Sequence, residues 1–238
     1  RARYERTWRD YVGGVDVPDS VADDPDLRRQ YRAAAMVLKA AESKQYPGAC
    51  VASPSIPWGR GVVANDPAAY GYTYVWSRDL YQAFTALTAM GDVESARAAV
   101  EYLYEYQQRE DGFLPQNTYL DGRTRWGGEQ MDNISWPQVM AYQLQRRHGV
   151  GFDEAGYDYE NVRKSADYVV TNGPSTGQER WEEEGGLSPS TTAAEIAGLV
   201  TAASLAANEH QRADALVYLA LADRWQSRTE EWMATDEG

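Results

Sequence analysis

The 238-residue sequence predicts an all-α fold. No segment alternates apolar and polar residues as a half-buried β-strand does, whereas apolar residues recur three and four positions apart along much of the chain. Long irregular segments, apolar helices, short turns and more polar helices also follow one another in a repeating order. Such an order is typical of stacked helical hairpins.

The helix boundaries follow from caps, prolines and apolar spacing. The first predicted helix follows Asp24, whose side chain can cap it, and has Pro25 in its first turn. Pro137 fits the first turn of a later helix. The predicted helices lie at about 26–43, 77–90, 93–104, 133–147, 158–171, 190–207 and 209–234. The irregular segments are 46–75, 111–132 and 178–188, and long loops in compact domains are usually functional.

A carboxylate lies near the start of each of the three most apolar helices. Asp79 and Asp132 are 53 residues apart, and Asp132 and Glu182 are 50 apart. Helical hairpins repeated at this interval place the N-termini of alternate helices at one end of the stack, so we expect the three loops to meet there. A closed ring of six such pairs, at ~50 residues each, needs ~300 residues or more. We therefore expect an incomplete ring.

The composition excludes several classes of protein. The net charge of −13 argues against nucleic-acid binding, and no apolar run reaches the ~18–20 residues of a membrane-spanning helix. The single cysteine, Cys50, excludes an internal disulfide. With only two histidines, His148 and His210, the sequence argues against a histidine metal site and against a Ser-His-Asp triad. The oligomeric state and the compartment, cytoplasmic or secreted, stay open.

The same acidic composition favours a high-salt environment. Only three of the 23 basic residues are lysines, so nearly all positive charge is arginine. A surface with this much negative charge repels itself, and salt screens that repulsion. We expect a halophilic protein.

Aromatic, carboxylate and arginine side chains recur in the three loops that we expect to meet. Sugar rings present C–H faces that stack on aromatic rings, and sugar hydroxyls bond to carboxylates and guanidinium groups. Each residue also has a structural interpretation: Arg78-Asp79 as an ion pair at a helix start, Trp126 as a loop anchor and Asp132 as an N-cap. The repeated placement favours a sugar site. Its candidate residues are Tyr72, Trp76, Arg78, Asp79, Trp126, Asp132, Trp181, Glu182 and Glu183.

The stretch 178–190 concentrates acidic groups around one indole. Neighbouring carboxylates repel each other, and an adjacent Trp181 removes water, so we expect a raised pKa for at least one carboxyl group. A carboxyl group that is still protonated near neutral pH can serve as a general acid. The alternative is a solvated acidic turn.

Five motifs in this sequence resemble those of the glucoamylase and glucodextranase family, glycoside hydrolase family fifteen. The resemblance covers residues 27–210 and is to a prokaryotic, haloarchaeal type rather than a fungal one. The motifs are 48–59 (GACVASPSIPWG), 72–81 (YTYVWSRDLY), 111–117 (DGFLPQN), 126–132 (WGGEQMD) and 179–183 (ERWEE) before 188–191 (SPST).

The resemblance implies an (α/α)6 barrel and an inverting, exo-acting hydrolase that releases glucose from the non-reducing ends of α-glucans. It implies that Glu182 is the general acid, that Glu183 holds hydroxyls beside it, and that Arg78 and Asp79 clamp the terminal glucose. Asp132 would support them. The walls of this site would be Tyr72, Trp76 and Trp126, with Trp181 beside the acid.

Nothing in the sequence matches the family's general base, which we expect beyond Gly238. Residues 1–25 would then be a linker and 26–238 the first half or more of the barrel, with little activity alone. No cofactor is required; the acidic loops could hold a structural calcium ion, although no EF-hand spacing occurs. The alternatives are a glucodextranase or α,α-trehalase of the same family and, in another class, a non-catalytic sugar-binding toroid.

Overall fold

The computed structural model describes residues 2–54 and 71–235. Within these ranges the regular secondary structure is helical apart from one short hairpin of strands. The helices are α1 (Ala2–Gly14), α2 (Asp19–Ala22), α3 (Pro25–Ala40), α4 (Ser77–Ala89), α5 (Val93–Tyr102), α6 (Met131–His148), α7 (Tyr159–Asn172), α8 (Pro189–Asn208) and α9 (Arg212–Met233). A π-helical turn, Leu103–Gln107, extends α5, and the strands are β1 (Asn117–Thr118) and β2 (Thr124–Trp126).

The helices pair as the repeat predicts. Helix α6 packs between α4 and α8, and these three helices form a row. Helices α5, α7 and α9 pack against this row and follow its members in the chain. The row is close-packed because small residues face each other: a Cβ on Gly198 of α8 would lie 3.0 Å from the Cβ of Ser135 on α6. The main apolar core includes Leu80, Phe84, Ile134, Met140, Leu144, Leu199 and Ala202.

Helices α4 and α6 are joined at their N-terminal ends. Trp76, the N-cap of α4, makes no side-chain capping bond, and instead the amide of Arg78 donates to Oδ1 of Asn133 at 2.9 Å. Ser77 Oγ donates to the Asn133 carbonyl at 2.5 Å. That carbonyl is free because Pro137, four residues on, has no N–H to bond it. The two helix starts are therefore held in one register.

The structure differs from the predicted helical layout in several elements. Pro137 is the seventh residue of α6 rather than a first-turn residue, since α6 begins at Met131. The hairpin of β1 and β2 was missed because strands of two and three residues are too short to show alternation. Helices α1 and α2 were also missed, because their residues are mostly polar and none of them is buried. Tyr11 of α1 nevertheless donates to Asp92 at 3.1 Å.

Helix α3 is present where it was predicted, but its apolar positions are mostly unburied. Asp24 caps it through the amides of Asp26 and Leu27, as expected. Only Ala35 is buried, and Val37 is 61% exposed beside an apolar groove between α3 and α4. The other end of the row also exposes apolar side chains: on α9, Leu216 is 68% exposed.

Candidate active site

An open cavity of about 390 Å³ lies where the loops before α4, α6 and α8 meet. The three loops therefore do gather at one end of the helix row. Backbone bonds join them: Val75 and Thr118 exchange two hydrogen bonds of 2.9 and 3.1 Å, and Gln178 N donates to Glu129 O at 2.8 Å. The lining residues are Gly71, Tyr72, Trp76, Arg78, Asp79, Trp126, Arg180, Trp181 and Glu182.

The floor of the cavity is an arginine held by buried polar groups. Nη1 of Arg78 lies 2.9 Å from Oδ2 of Asp132 and donates to Oε1 of Gln130 at 3.1 Å. Asn133 donates to the same Gln130 oxygen at 2.8 Å. Because Asp132 and Gln130 are buried, Arg78 is fixed in place and not free to turn towards Asp79.

This geometry settles two of the structural alternatives. Arg78 pairs with Asp132, 54 residues away, rather than with its sequence neighbour Asp79. Asp132 is not an N-cap, because Gln130 occupies that position and α6 begins at Met131. Asp132 is therefore a supporting carboxylate behind the cavity rather than part of its lining.

Aromatic rings form one wall. The ring centroids of Tyr72 and Trp76 are 5.8 Å apart, and those of Trp76 and Trp126 are 5.9 Å apart, both edge to face. Tyr74 stands behind them at 5.9 Å from Trp126, and the guanidinium of Arg125 covers Trp126 at 5.3 Å. Edge-to-face packing holds each ring rigidly, so the wall is a preformed apolar surface.

The loop that carries Glu182 is closed at its base. Thr176 and Gly186 exchange two backbone hydrogen bonds of 2.9 and 2.8 Å. Gly128 packs closely nearby: a Cβ there would lie 2.3 Å from Oε1 of Gln178, so a larger residue would displace that side chain. Glu182 itself has a φ of 68°, in the left-handed region that few non-glycine residues adopt. Its Oε1 accepts a hydrogen bond of 3.3 Å from Gln130, the residue that also contacts Arg78.

The water exclusion expected around the acidic stretch is absent. Trp181 is 73% exposed, and Glu182, Glu183 and Glu184 are exposed as well. The indole therefore stands at the rim of the cavity and does not cover the carboxylates. Glu183 does not line the cavity; its amide donates to the side chain of Glu179 at 3.4 Å.

Asp79 lies in an unusual electrostatic position. Its side chain contacts solvent, yet the surrounding cavity wall desolvates it, and this desolvation raises the pKa of the carboxyl group. Asp132 and Glu182 raise that pKa further, while the adjacent Arg78 lowers it. Asp132 and Glu182 therefore lie close enough to Asp79 to act on it electrostatically, which agrees with the predicted meeting of the three loops.

A further carboxyl group, Glu195, is buried behind the site on α8. Both of its oxygens lack a hydrogen-bond partner within the described residues, and it is fully buried. Burial raises its pKa to about 8, and Asp132 and Glu129 add to the effect. It fits against the end of α7, where a Cβ on Gly173 would lie 2.4 Å from its Oε1.

Sequence reasoning missed several residues that build the site. Gln130 links Arg78 to Glu182, Asn133 caps α4, and Glu195 is buried near Asp132 and Glu129. The available signal was position: Gln130 and Asn133 flank Asp132, a candidate already. Glu195 gave no such signal, because a glutamate in an alanine-rich helix does not reveal which face it occupies.

The cavity has a fixed arginine, a wall of tryptophans and an exposed carboxyl group, and it lies at the N-terminal ends of paired helices. These features define a protein of stacked helical hairpins with an acid-bearing site. The family model of Glycosyl hydrolases family 15 matches residues 27–110 and 99–237. The chain therefore belongs to glycosyl hydrolase family 15. This confirms the resemblance carried by the five motifs, although residues 55–59 of the first motif and 55–70 of the predicted loop lie outside the described residues.

Individual relatives agree with this assignment. A glucoamylase of Clostridium sp. (strain G0005) is 42% identical over 240 residues, which cover 100% of this chain and 32% of that protein. The crystal structure of a bacterial glucoamylase complexed with acarbose is 38% identical, with a TM-score of 0.86 over 99% of this chain and 32% of its own. The glucoamylase of Saccharomycopsis fibuligera shares the fold at 18% identity and a TM-score of 0.68, over 84% of this chain and 48% of its own.

The chain spans about a third of the length of the first two relatives. The all-α fold and its place in the (α/α)6 barrel class are confirmed by the structural match. In residues 2–54 and 71–235, no three His, Cys, Asp or Glu side chains form a group that could hold a metal ion. The same residues contain no helix that is both long and apolar enough to span a membrane.

Proposed function

We propose that the protein is an inverting, exo-acting glycoside hydrolase that releases glucose from the non-reducing ends of α-glucans. One observation carries the proposal: the carboxyl group of Glu182 opens into a preformed cavity with a fixed arginine on its floor and tryptophans on its wall. The 42% identity to a glucoamylase supports it.

In this proposal Glu182 is the general acid, which protonates the glycosidic oxygen as the bond breaks. Arg78 and Asp79 bind hydroxyls of the terminal glucose, and Asp132 fixes Arg78. Tyr72, Trp76 and Trp126 form the wall along the sugar, and Trp181 extends it at the rim. Glu183, which is exposed next to Glu182, holds substrate hydroxyls beside the acid.

An inverting mechanism needs a second carboxylate, about 6.5–9.5 Å from the acid, to activate water. We propose that this base follows residue 238 in the gene product, and that residues 1–238 alone release little or no glucose. The mechanism as proposed uses two carboxyl groups and water and requires no cofactor. A structural calcium ion stays compatible with the acidic loops.

The same reasoning applies to domain organisation. We propose that residues 26–238 are the first half or more of an (α/α)6 barrel and that 1–25 link it to what precedes. The apolar side chains left exposed at both ends of the helix row, Val37 on α3 and Leu216 on α9, support a row that continues into further helices.

The test is hydrolysis by the full-length gene product that contains this chain. We expect glucose from malto-oligosaccharides and starch, released first as the β-anomer, which NMR distinguishes from the α-anomer. Preferred hydrolysis of dextran or of trehalose would assign the glucodextranase or α,α-trehalase alternative instead. Sugar binding without any glucose release would leave the non-catalytic toroid, and initial release of α-glucose would contradict an inverting mechanism.

A further inference from the structure

Arg180 lines the cavity but has no role in the proposed reaction. It is exposed, and its guanidinium lies over the indole of Trp181, 5.4 Å from the ring centroid. Both residues immediately precede Glu182 on a loop that is closed at its base by Thr176 and Gly186. Arg180 is therefore a cation held at a defined place beside the acid.

The burial of the lining residues orders the cavity from floor to rim. At the floor, the side chain of Arg78 is 20% exposed, and behind it the side chain of Asp132 is 5% exposed. At the rim, Arg180 and Trp181 are exposed. Glu182 connects the two levels, because its carboxyl group bonds to Gln130 on the floor while its backbone continues from the rim. Arg180 therefore lies at the exposed edge of the cavity, two residues before Glu182.

We propose that Arg180 is a specificity-determining residue that binds the leaving sugar, the one next to the terminal glucose. The inference rests on the proposed exo-hydrolysis. If the terminal glucose occupies the floor, Glu182 protonates the oxygen that joins it to the second sugar. The C1–O bond breaks, water gives its hydroxyl to C1 and its proton to the proposed general base, and the second sugar leaves with the proton from Glu182. Arg180 and Trp181 are then the lining residues that face this second sugar.

The chemistry of the pair suits that role. A guanidinium is a planar fork of donors that can bond two neighbouring hydroxyls, and its stacking on an indole fixes its orientation before substrate arrives. The exposed indole of Trp181 offers an apolar face to sugar C–H groups. A lysine would keep the charge but lose the fork.

The test compares two substrates in the full-length gene product. Maltose has a sugar as its leaving group, whereas α-glucosyl fluoride has only fluoride. For Arg180→Leu we expect the ratio of kcat/KM for maltose to that for α-glucosyl fluoride to fall roughly ten- to a hundredfold, as for lost hydrogen bonds from a charged donor. Arg180→Lys should restore only part of that ratio, because a point charge cannot replace a fork.

Arg123→Leu is the matched control. Arg123 is also an exposed arginine stacked on an aromatic ring, 5.1 Å from the centroid of Tyr119, but it does not line the cavity, so its variant should keep the wild-type ratio. An unchanged ratio in Arg180→Leu, including equal losses on both substrates, would overturn the proposal. A wild-type protein that hydrolyses neither substrate would instead contradict the proposed function on which it rests.

Discussion

Glu182 combines an exposed carboxyl group with a left-handed backbone, at a φ of 68°. Non-glycine residues in that region cost free energy and persist where the surrounding structure holds them, often at functional sites. Here the closed base of the loop and the bond from Gln130 hold it. The conformation aims the carboxyl group into the cavity, which the order of residues in 179–183 does not reveal.

The role of Glu182 is tested by Glu182→Gln in the full-length gene product. We expect kcat on malto-oligosaccharides to fall by roughly 10²–10⁴, the usual contribution of a general acid, while sugar affinity survives because the amide keeps the shape. Kinetics and calorimetric titration measure the two effects. Glu184→Gln is the control, since Glu184 is exposed but does not line the cavity. Retained hydrolysis in Glu182→Gln would assign the acid elsewhere.

Glu195 makes a prediction about stability and pH. Burial raises the pKa of its carboxyl group from 4.5 to about 8. Between these two pH values the unfolded chain has released this proton and the folded protein has kept it, so the contribution of Glu195 to stability falls as pH rises from about 4.5 to about 8 and is level above.

Glu195→Gln does not titrate, so its melting temperature relative to wild type should increase across that pH window. The corresponding gain in the free energy of unfolding should be on the order of a few kcal/mol at the upper end of that pH window. Thermal unfolding of both proteins at a series of pH values measures it. Glu209→Gln, an exposed position at the end of the same helix, should show no such trend. A constant difference between Glu195→Gln and wild type would mean that Glu195 is not buried as a protonated acid.

At the scale of elements, the junction of α4 and α6 decides where the floor of the cavity lies. Asn133 caps α4 from α6, and Ser77 bonds the carbonyl that Pro137 leaves free. Gln130, at the start of α6, holds both Arg78 and Glu182. The same contacts therefore set both the register between α4 and α6 and the geometry of the site.

Two capping residues separate the stability of a helix from the geometry of the site. Asp24→Ala should cost about 1 kcal/mol of stability, the usual value for an exposed N-cap, and leave sugar affinity unchanged. Asn133→Ala should cost about 2–3 kcal/mol, because it leaves buried polar groups unpaired, and should also weaken sugar binding through Arg78. Thermal unfolding and sugar titration of the full-length gene product test both. Equal affinity in the two variants would contradict the coupling of this junction to the site.

The sequence predicted the helices because their apolar faces repeat, and it placed α4 to α9 within a few residues of their observed bounds. It missed α1 and the hairpin of β1 and β2, which bury little or are too short to show a period. Among the candidate residues, Arg78, Asp79 and Glu182 meet at one cavity as predicted. The contacts of Gln130 and Asn133 could not be predicted, because they depend on the register between helices.

At the scale of the whole molecule, the net charge of −13 on 238 residues predicts a dependence on salt. The Debye length falls from about 10 Å at 0.1 M to about 3 Å at 1 M, so molar salt screens most repulsion between surface carboxylates. We expect the melting temperature to rise by several degrees between these concentrations. An uncharged osmolyte such as sucrose is the control for effects other than screening, and a melting temperature independent of salt would reject halophily.

The sequence by itself determined the all-α class, the repeat of about 50 residues, the family motifs and the candidate site residues at the helix starts. Each of these is local, because periodicity, capping and motif spacing are properties of consecutive residues. Only the tertiary structure decided that Arg78 pairs with Asp132, that Glu182 bonds to Gln130 and that Trp181 stands exposed at the rim. Those contacts join residues about 50 positions apart in the chain or depend on how loops cross, and packing between helices alone sets them.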